Sequence, residues 1–88
     1  MLSAENGDIM AHTPRNCAHH LLRVFTVHNR RADECLRENS FTRPFSENGW
    51  RADDYNIGID LCIQNDWVKI GPNGGVCVTQ SGLDEVDA

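Results

Sequence analysis

Basic residues are scarce in this 88-residue chain, and scarcest where a nucleic-acid reader would need them. It has a single lysine, Lys69, and no arginine follows Arg51. No apolar run approaches the roughly 20 residues that a membrane-spanning helix requires. None of the four cysteines, Cys17, Cys35, Cys62 and Cys77, forms a CxxC pair. That spacing excludes the paired-ligand pattern of a structural zinc site. No glycine-rich loop lies between a strand and a helix, so no phosphate-cradling motif is present. The first eight residues, Met1 to Asp8, have neither a basic segment nor an apolar one. A secretory leader is therefore not expected there, and the protein is expected to stay in the cytoplasm. In that compartment the cysteines are expected to be reduced and mostly buried.

What is present fits one small domain. Apolar residues make up 40% of the chain and charged residues 24%, ordinary values for a globular protein. Residues 1–12 are polar and patternless and read as a flexible tail. Residues 13–88 read as the domain. The net charge of −5 is unevenly divided. Residues 1–51 hold seven arginines against six acids, whereas residues 52–88 hold Lys69 against seven acids. The two halves therefore offer different surfaces to partners.

Thr13-Pro14 is a helix start: a hydroxyl N-cap followed by proline at the first helical position. Cys17, Ala18, Leu21, Leu22, Val24 and Phe25 then recur at helical spacing, predicting a first helix over 14–28 with Asn29 at its end. Its apolar face is broad for so small a core, which leaves a homodimer built on this helix as one expectation. A shorter second helix is expected over Ala32–Glu38, with Cys35 and Leu36 inward. Phe41 and Phe45 pin the proline-containing loop that follows, and Ser46 to Gly49 form a turn.

A third helix is predicted from Ala52 or Asp53 to Asn65. Ile57, Leu61 and Cys62 are its expected core face, and Tyr55, Ile59 and Ile63 its flanks. Gly58 costs about 1 kcal/mol in a helix interior, and a close helix crossing is one reason to keep it. Trp67–Ile70 and Val76–Thr79 are short strands joined by Gly71-Pro72-Asn73-Gly74-Gly75, a hairpin turn. Thr79 then caps a last short helix, Ser81–Val86. The fold class is α+β: three helices, a two-stranded hairpin and a short C-terminal helix.

The stretch Ile57–Gly82 resembles the winged helix of MarR- and PadR-type regulators. The helix ends in Asn65-Asp66-Trp67-Val68, a glycine-rich turn follows, and Val78, Thr79 and Gly82 match the close of the wing. The resemblance implies a small winged-helix domain. In such domains the third helix enters the DNA major groove and the wing lies near the backbone or minor groove.

Charge argues against that use. The expected reading helix carries Asp53, Asp54, Asp60 and Asp66 and no internal cation. Affinity for nucleic acid comes largely from Lys and Arg on phosphates. The leading expectation is therefore a non-enzymatic protein-interaction module, a small acidic inhibitor or nucleic-acid mimic of the kind that phages encode. It would act on a basic, nucleic-acid-binding partner through Asp53, Asp54, Asp60 and Asp66, with Trp50 as an aromatic anchor. The alternative is a DNA-binding transcriptional regulator using Arg30, Arg31, Arg37, Arg43 and Arg51. No cofactor and no metal are expected: His12, Cys17, His19 and His20 are one loose cluster, and Cys17 falls on the core face of its helix.

Overall fold

The computed structural model describes residues 12–87. Apart from His12, the expected tail lies outside the described residues. Helix α1 spans Pro14–Val27 and β1 spans Cys35–Leu36. A 3-10 turn follows over Glu38–Phe41, and helix α2 spans Ala52–Gln64. Strands β2 (Val68–Ile70) and β3 (Val76–Val78) form the hairpin, and helix α3 (Gln80–Asp87) closes the described chain. The described residues form a small α+β domain with three α-helices and a three-stranded antiparallel sheet in the order β1-β3-β2.

The start of α1 is as expected. Thr13 caps it, its hydroxyl accepting the Asn16 amide at 3.1 Å, with Pro14 in the first turn. At the other end Asn29 takes a left-handed conformation, φ 56°, in which an Asn is tolerated. The whole apolar face, Cys17, Ala18, Leu21, Leu22, Val24 and Phe25, is buried within the monomer. That consumes the surface on which the expected homodimer was to rest.

The second helix is a correction. Residues 35–36 pair with β3 instead, Cys35 opposite Cys77 and Leu36 opposite Val76. The cause is local. Glu34 closes a turn by donating its amide to the Arg31 carbonyl and accepting the Arg31 amide on its carboxylate. Asp33 then takes φ 70°, which a continuing helix does not allow. Asp33 donates to the Val78 carbonyl at 2.7 Å, and Val78 donates back to Glu34 at 3.1 Å. Leu36 points inward as expected, but Cys35 is exposed, and the hairpin gains a third strand. The pairing also joins Cys35 to Cys77 in a disulfide, where reduced thiols were expected; only Cys17 and Cys62 are free and buried.

Helix α2 has its expected bounds, and Cys62 is buried with Tyr55, Ile59 and Leu61 packed against the core as expected, but the helix is rotated so that Ile57 and Ile63 turn outward. Asp54, Gly58 and Cys62 are buried, whereas Ile57 is 40% and Ile63 is 43% exposed. Gly58 sets this rotation. A Cβ placed there would lie 2.7 Å from the Cys17 carbonyl oxygen of α1. The two backbones cross where only glycine fits, and Cys62 Sγ donates to the Ala18 carbonyl beside it. Phe41 and Phe45 plug the loop side of the core, as expected. Thr79 closes the other end: its hydroxyl donates to the Asp66 carbonyl at 2.6 Å and accepts the Gly82 amide as the cap of α3. Gly82 itself packs directly on the Trp67 carbonyl. No helix among the described residues is long and apolar enough to cross a membrane.

Gly58→Ala sets two effects against each other. The intrinsic helix preference rises by about 1 kcal/mol, but the added methyl meets rigid backbone, an overpacking that costs about 1–3 kcal/mol. Overpacking should win, lowering the melting temperature by several degrees. A melting temperature equal to or above that of the wild type would contradict the crossing.

Candidate functional site

The outward side of α2 is one continuous strip of Asp53, Asn56, Ile57, Asp60, Ile63 and Gln64, all exposed. The helical period explains it. Residues three, four and seven apart share a face, and the Gly58 crossing turns this one to solvent. Asp53 and Asp60 lie two turns apart on it, about 10 Å along the axis, with Ile57 between them.

The four carboxylates proposed from sequence do not act together. Asp54 is only 8% exposed and faces inward. It accepts the Arg51 amide at 3.0 Å, and its own amide donates to the Arg51 carbonyl, so it caps the helix rather than facing a partner. Asp66 lies beyond the C-terminal end of α2, about 20 Å from Asp53 along the axis. It is exposed, with φ 59°, and its carbonyl is the acceptor for Thr79. The strip therefore holds Asp53 and Asp60 together, with Asp66 at its far end. Its apolar members, Ile57 and Ile63, were read from sequence as core and core flank.

Trp50 is half-buried and structurally engaged. His12 stacks on one face of the indole, with centroids 3.6 Å apart, and His20 on the other, at 3.9 Å. Phe45 meets the indole edge-on at 5.6 Å, and His20 Nε2 is 2.8 Å from the Pro44 carbonyl. The histidines that suggested a metal cluster thus go separate ways. His12 and His20 are separated by the indole, and His19 meets the Glu85 carboxylate at 2.8 Å, which also accepts from Arg15. Beside Trp50 opens a cleft of about 570 Å³, lined by Phe41, Phe45, Trp50 and Tyr55 with Glu38 and Arg51 exposed at its edge. Burial, and then the nearby Glu38 carboxylate, push the Tyr55 phenol above its usual range. This cleft adjoins the start of the acidic strip. Sequence reasoning singled out its residues one by one without bringing them together.

The five arginines are dispersed over several segments. Arg30 and Arg31 line a concavity with Gln80, Leu83 and Asp87 of α3. Arg37 lines another, beside Gly74 and Gly75 at the hairpin turn. Arg43 pairs with Glu47 at 3.1 Å, and Arg51 borders the aromatic cleft. Lys69, the one cation of the hairpin, is bound to Asp33 at 3.0 Å.

The two free thiols are held in their neutral form. Burial, and then the adjacent Asp54 carboxylate, push Cys17 up to about 11, and burial alone takes Cys62 to about 12. Compared with known proteins, the chain matches no family model, no curated protein and no solved structure.

Two outcomes follow from this geometry. Trp50→Ala removes two stacked contacts and an edge contact, each worth about 0.5–1.5 kcal/mol, and should lower stability by about 2–3 kcal/mol. An unchanged melting curve would mean that the indole is a surface side chain and not a packed one. The thiols predict an alkaline limb. Because folding raises both values above 9.0, the unfolded chain releases these protons first, so stability is full below pH 9 and falls from there toward pH 11–12. Cys62→Ala should flatten that limb in urea unfolding measured across this range.

Proposed function

We propose that this chain is a non-enzymatic, winged-helix-like interaction module that presents the outer strip of α2 to a basic protein. One observation carries the reading: the most exposed face of the domain's central helix combines Asp53 and Asp60 with exposed Ile57 and Ile63 and includes no cation. Carboxylates steer and select a basic partner, while exposed isoleucines supply the apolar contact that charge alone does not. The winged-helix part of the reading draws its support from the order of elements, α2 followed directly by the β2–β3 hairpin, with β1 added to the edge of β3.

The same features oppose the use of this face on DNA. Phosphates would meet Asp53 and Asp60, and the hairpin's one cation is already paired with Asp33. A small acidic inhibitor, or a protein that occupies the nucleic-acid site of a basic partner, fits this surface best.

The test is charge reversal on the strip. Asp53→Lys with Asp60→Lys touches two exposed side chains and should leave the melting temperature within a few degrees of the wild type. Salt-sensitive association of the full chain with a lysine-rich histone, used as a basic protein probe, should weaken at least roughly tenfold. Association that is absent in the wild type, or unchanged by the reversal, would sink this reading.

A further inference from the structure

The structure places Cys35, Cys77 and Lys69 in one row across the sheet. Cys35 of β1 faces Cys77 of β3, and Cys77 faces Lys69 of β2. Directly paired residues of an antiparallel sheet project to the same side, so the disulfide and the lysine share one face. Asp33, two residues before Cys35, holds the Lys69 ammonium at 3.0 Å. The two sulfurs differ in access. Cys35 is exposed, whereas Cys77 is buried, with Gly71 against its Sγ at 3.4 Å from where a Cβ would sit. The remaining thiols, Cys17 and Cys62, are buried in the helical core.

We propose that the Cys35–Cys77 pair is a thiol–disulfide exchange site for small thiols of the glutathione class, a latch that releases β1 from the hairpin when it is reduced. A thiolate reaches the exposed sulfur, Cys35 Sγ, and bonds to it. The Cys35–Cys77 bond breaks, and its electron pair leaves on Cys77 Sγ, which then takes a proton from water. A second thiol attacks the mixed disulfide, frees Cys35 as a thiol and departs as the external disulfide. One protein disulfide is reduced and two external thiols are oxidised.

Lys69 acts on the leaving sulfur. A cation beside a thiolate stabilises it, and a more stable leaving thiolate departs faster. The two acids just before β1 are both engaged: Asp33 shares that ammonium, and the Glu34 carboxylate accepts the Arg31 amide. The link closes a segment of 42 residues that contains the 3-10 turn, α2 and β2. Once it opens, no covalent link joins β1 to β3, and what remains is the backbone pairing, including the Asp33–Val78 and Val78–Glu34 hydrogen bonds, the buried Leu36 side chain and the Asp33–Lys69 pair.

The experiment incubates the oxidised full chain with excess reduced glutathione at about pH 8, where the small thiol is partly ionised. Acid-quenched samples are then mapped by peptide mass spectrometry. The first adduct should be one glutathione on Cys35, with Cys77 open to alkylation and Cys17 and Cys62 unmodified in the folded protein. Amide exchange at Asp33 and Val78 should then rise at least roughly tenfold, with α1 and α2 unchanged. Lys69→Gln should slow the first step roughly threefold, and Lys69→Arg should restore it. A purely structural role for Lys69 gives the opposite sign, since a loosened sheet exposes the disulfide and speeds exchange. The proposal is overturned by a first adduct on Cys77, by equal labelling of all four cysteines, by no adduct at all, or by a Lys69→Gln variant as fast as the wild type.

Discussion

The close crossing of α1 and α2 at Gly58 is the contact on which the rest of this domain depends. With no side chain at that point, the α2 backbone comes to rest against the Cys17 carbonyl. That approach lets α1 bury its entire apolar face in a core it shares with Val68, Val76 and Val78 of the sheet. It also fixes the rotation of α2. Asp54, Gly58 and Cys62 turn inward, and the Asp54 carboxylate, a costly group to bury alone, is satisfied by the Arg51 amide. Everything else on α2 follows from that rotation, including which carboxylates meet solvent.

The same constraint separates structural from available charge. Asp54 and Asp33 look like members of an acidic surface, yet one caps α2 and the other pairs with Lys69. Asp53 and Asp60 lie on the outward line, with Ile57 between them, and it is this short strip that gives the domain a face with a definite sign. Trp50 illustrates the converse. A tryptophan beside a turn and an arginine reads as a contact anchor, but its two faces are occupied by His12 and His20. It shapes the neighbouring aromatic cleft more than it reaches out of it.

Much of this was legible in the sequence because local chemistry decides it. Thr13-Pro14, the apolar period of α1, the glycine-rich hairpin turn and the Thr79 cap each specify their element within a few residues. Gly58 announced a close crossing by being a glycine where a helix former would do better. Long-range pairing was not legible. Residues 32–38 have a helical look in isolation, and only the partner strand, some 40 positions away in the chain, turns Cys35 and Leu36 into β1 and joins Cys35 to Cys77. On α2, Leu61 and Cys62 face the core as the sequence indicates, but Ile57 and Ile63 do not, for a similar reason. Hydrophobicity favours Ile57 and Ile63 as core, whereas the steric demand of the crossing places Gly58 there and leaves both isoleucines outside. The candidate site inherits this division: its carboxylates could be named from sequence, but their separation into cap, strip and far end could not.

The central claim is that the outward face of α2 has the wrong charge for phosphate and the right charge for a basic protein. The most direct measurement is a titration of the wild-type chain into a short DNA duplex at low ionic strength, where electrostatic attraction is strongest. The account predicts no binding up to concentrations of about 100 μM, the weak end of the range typical of non-specific DNA binding. Micromolar binding that weakens steeply as salt is added would contradict it.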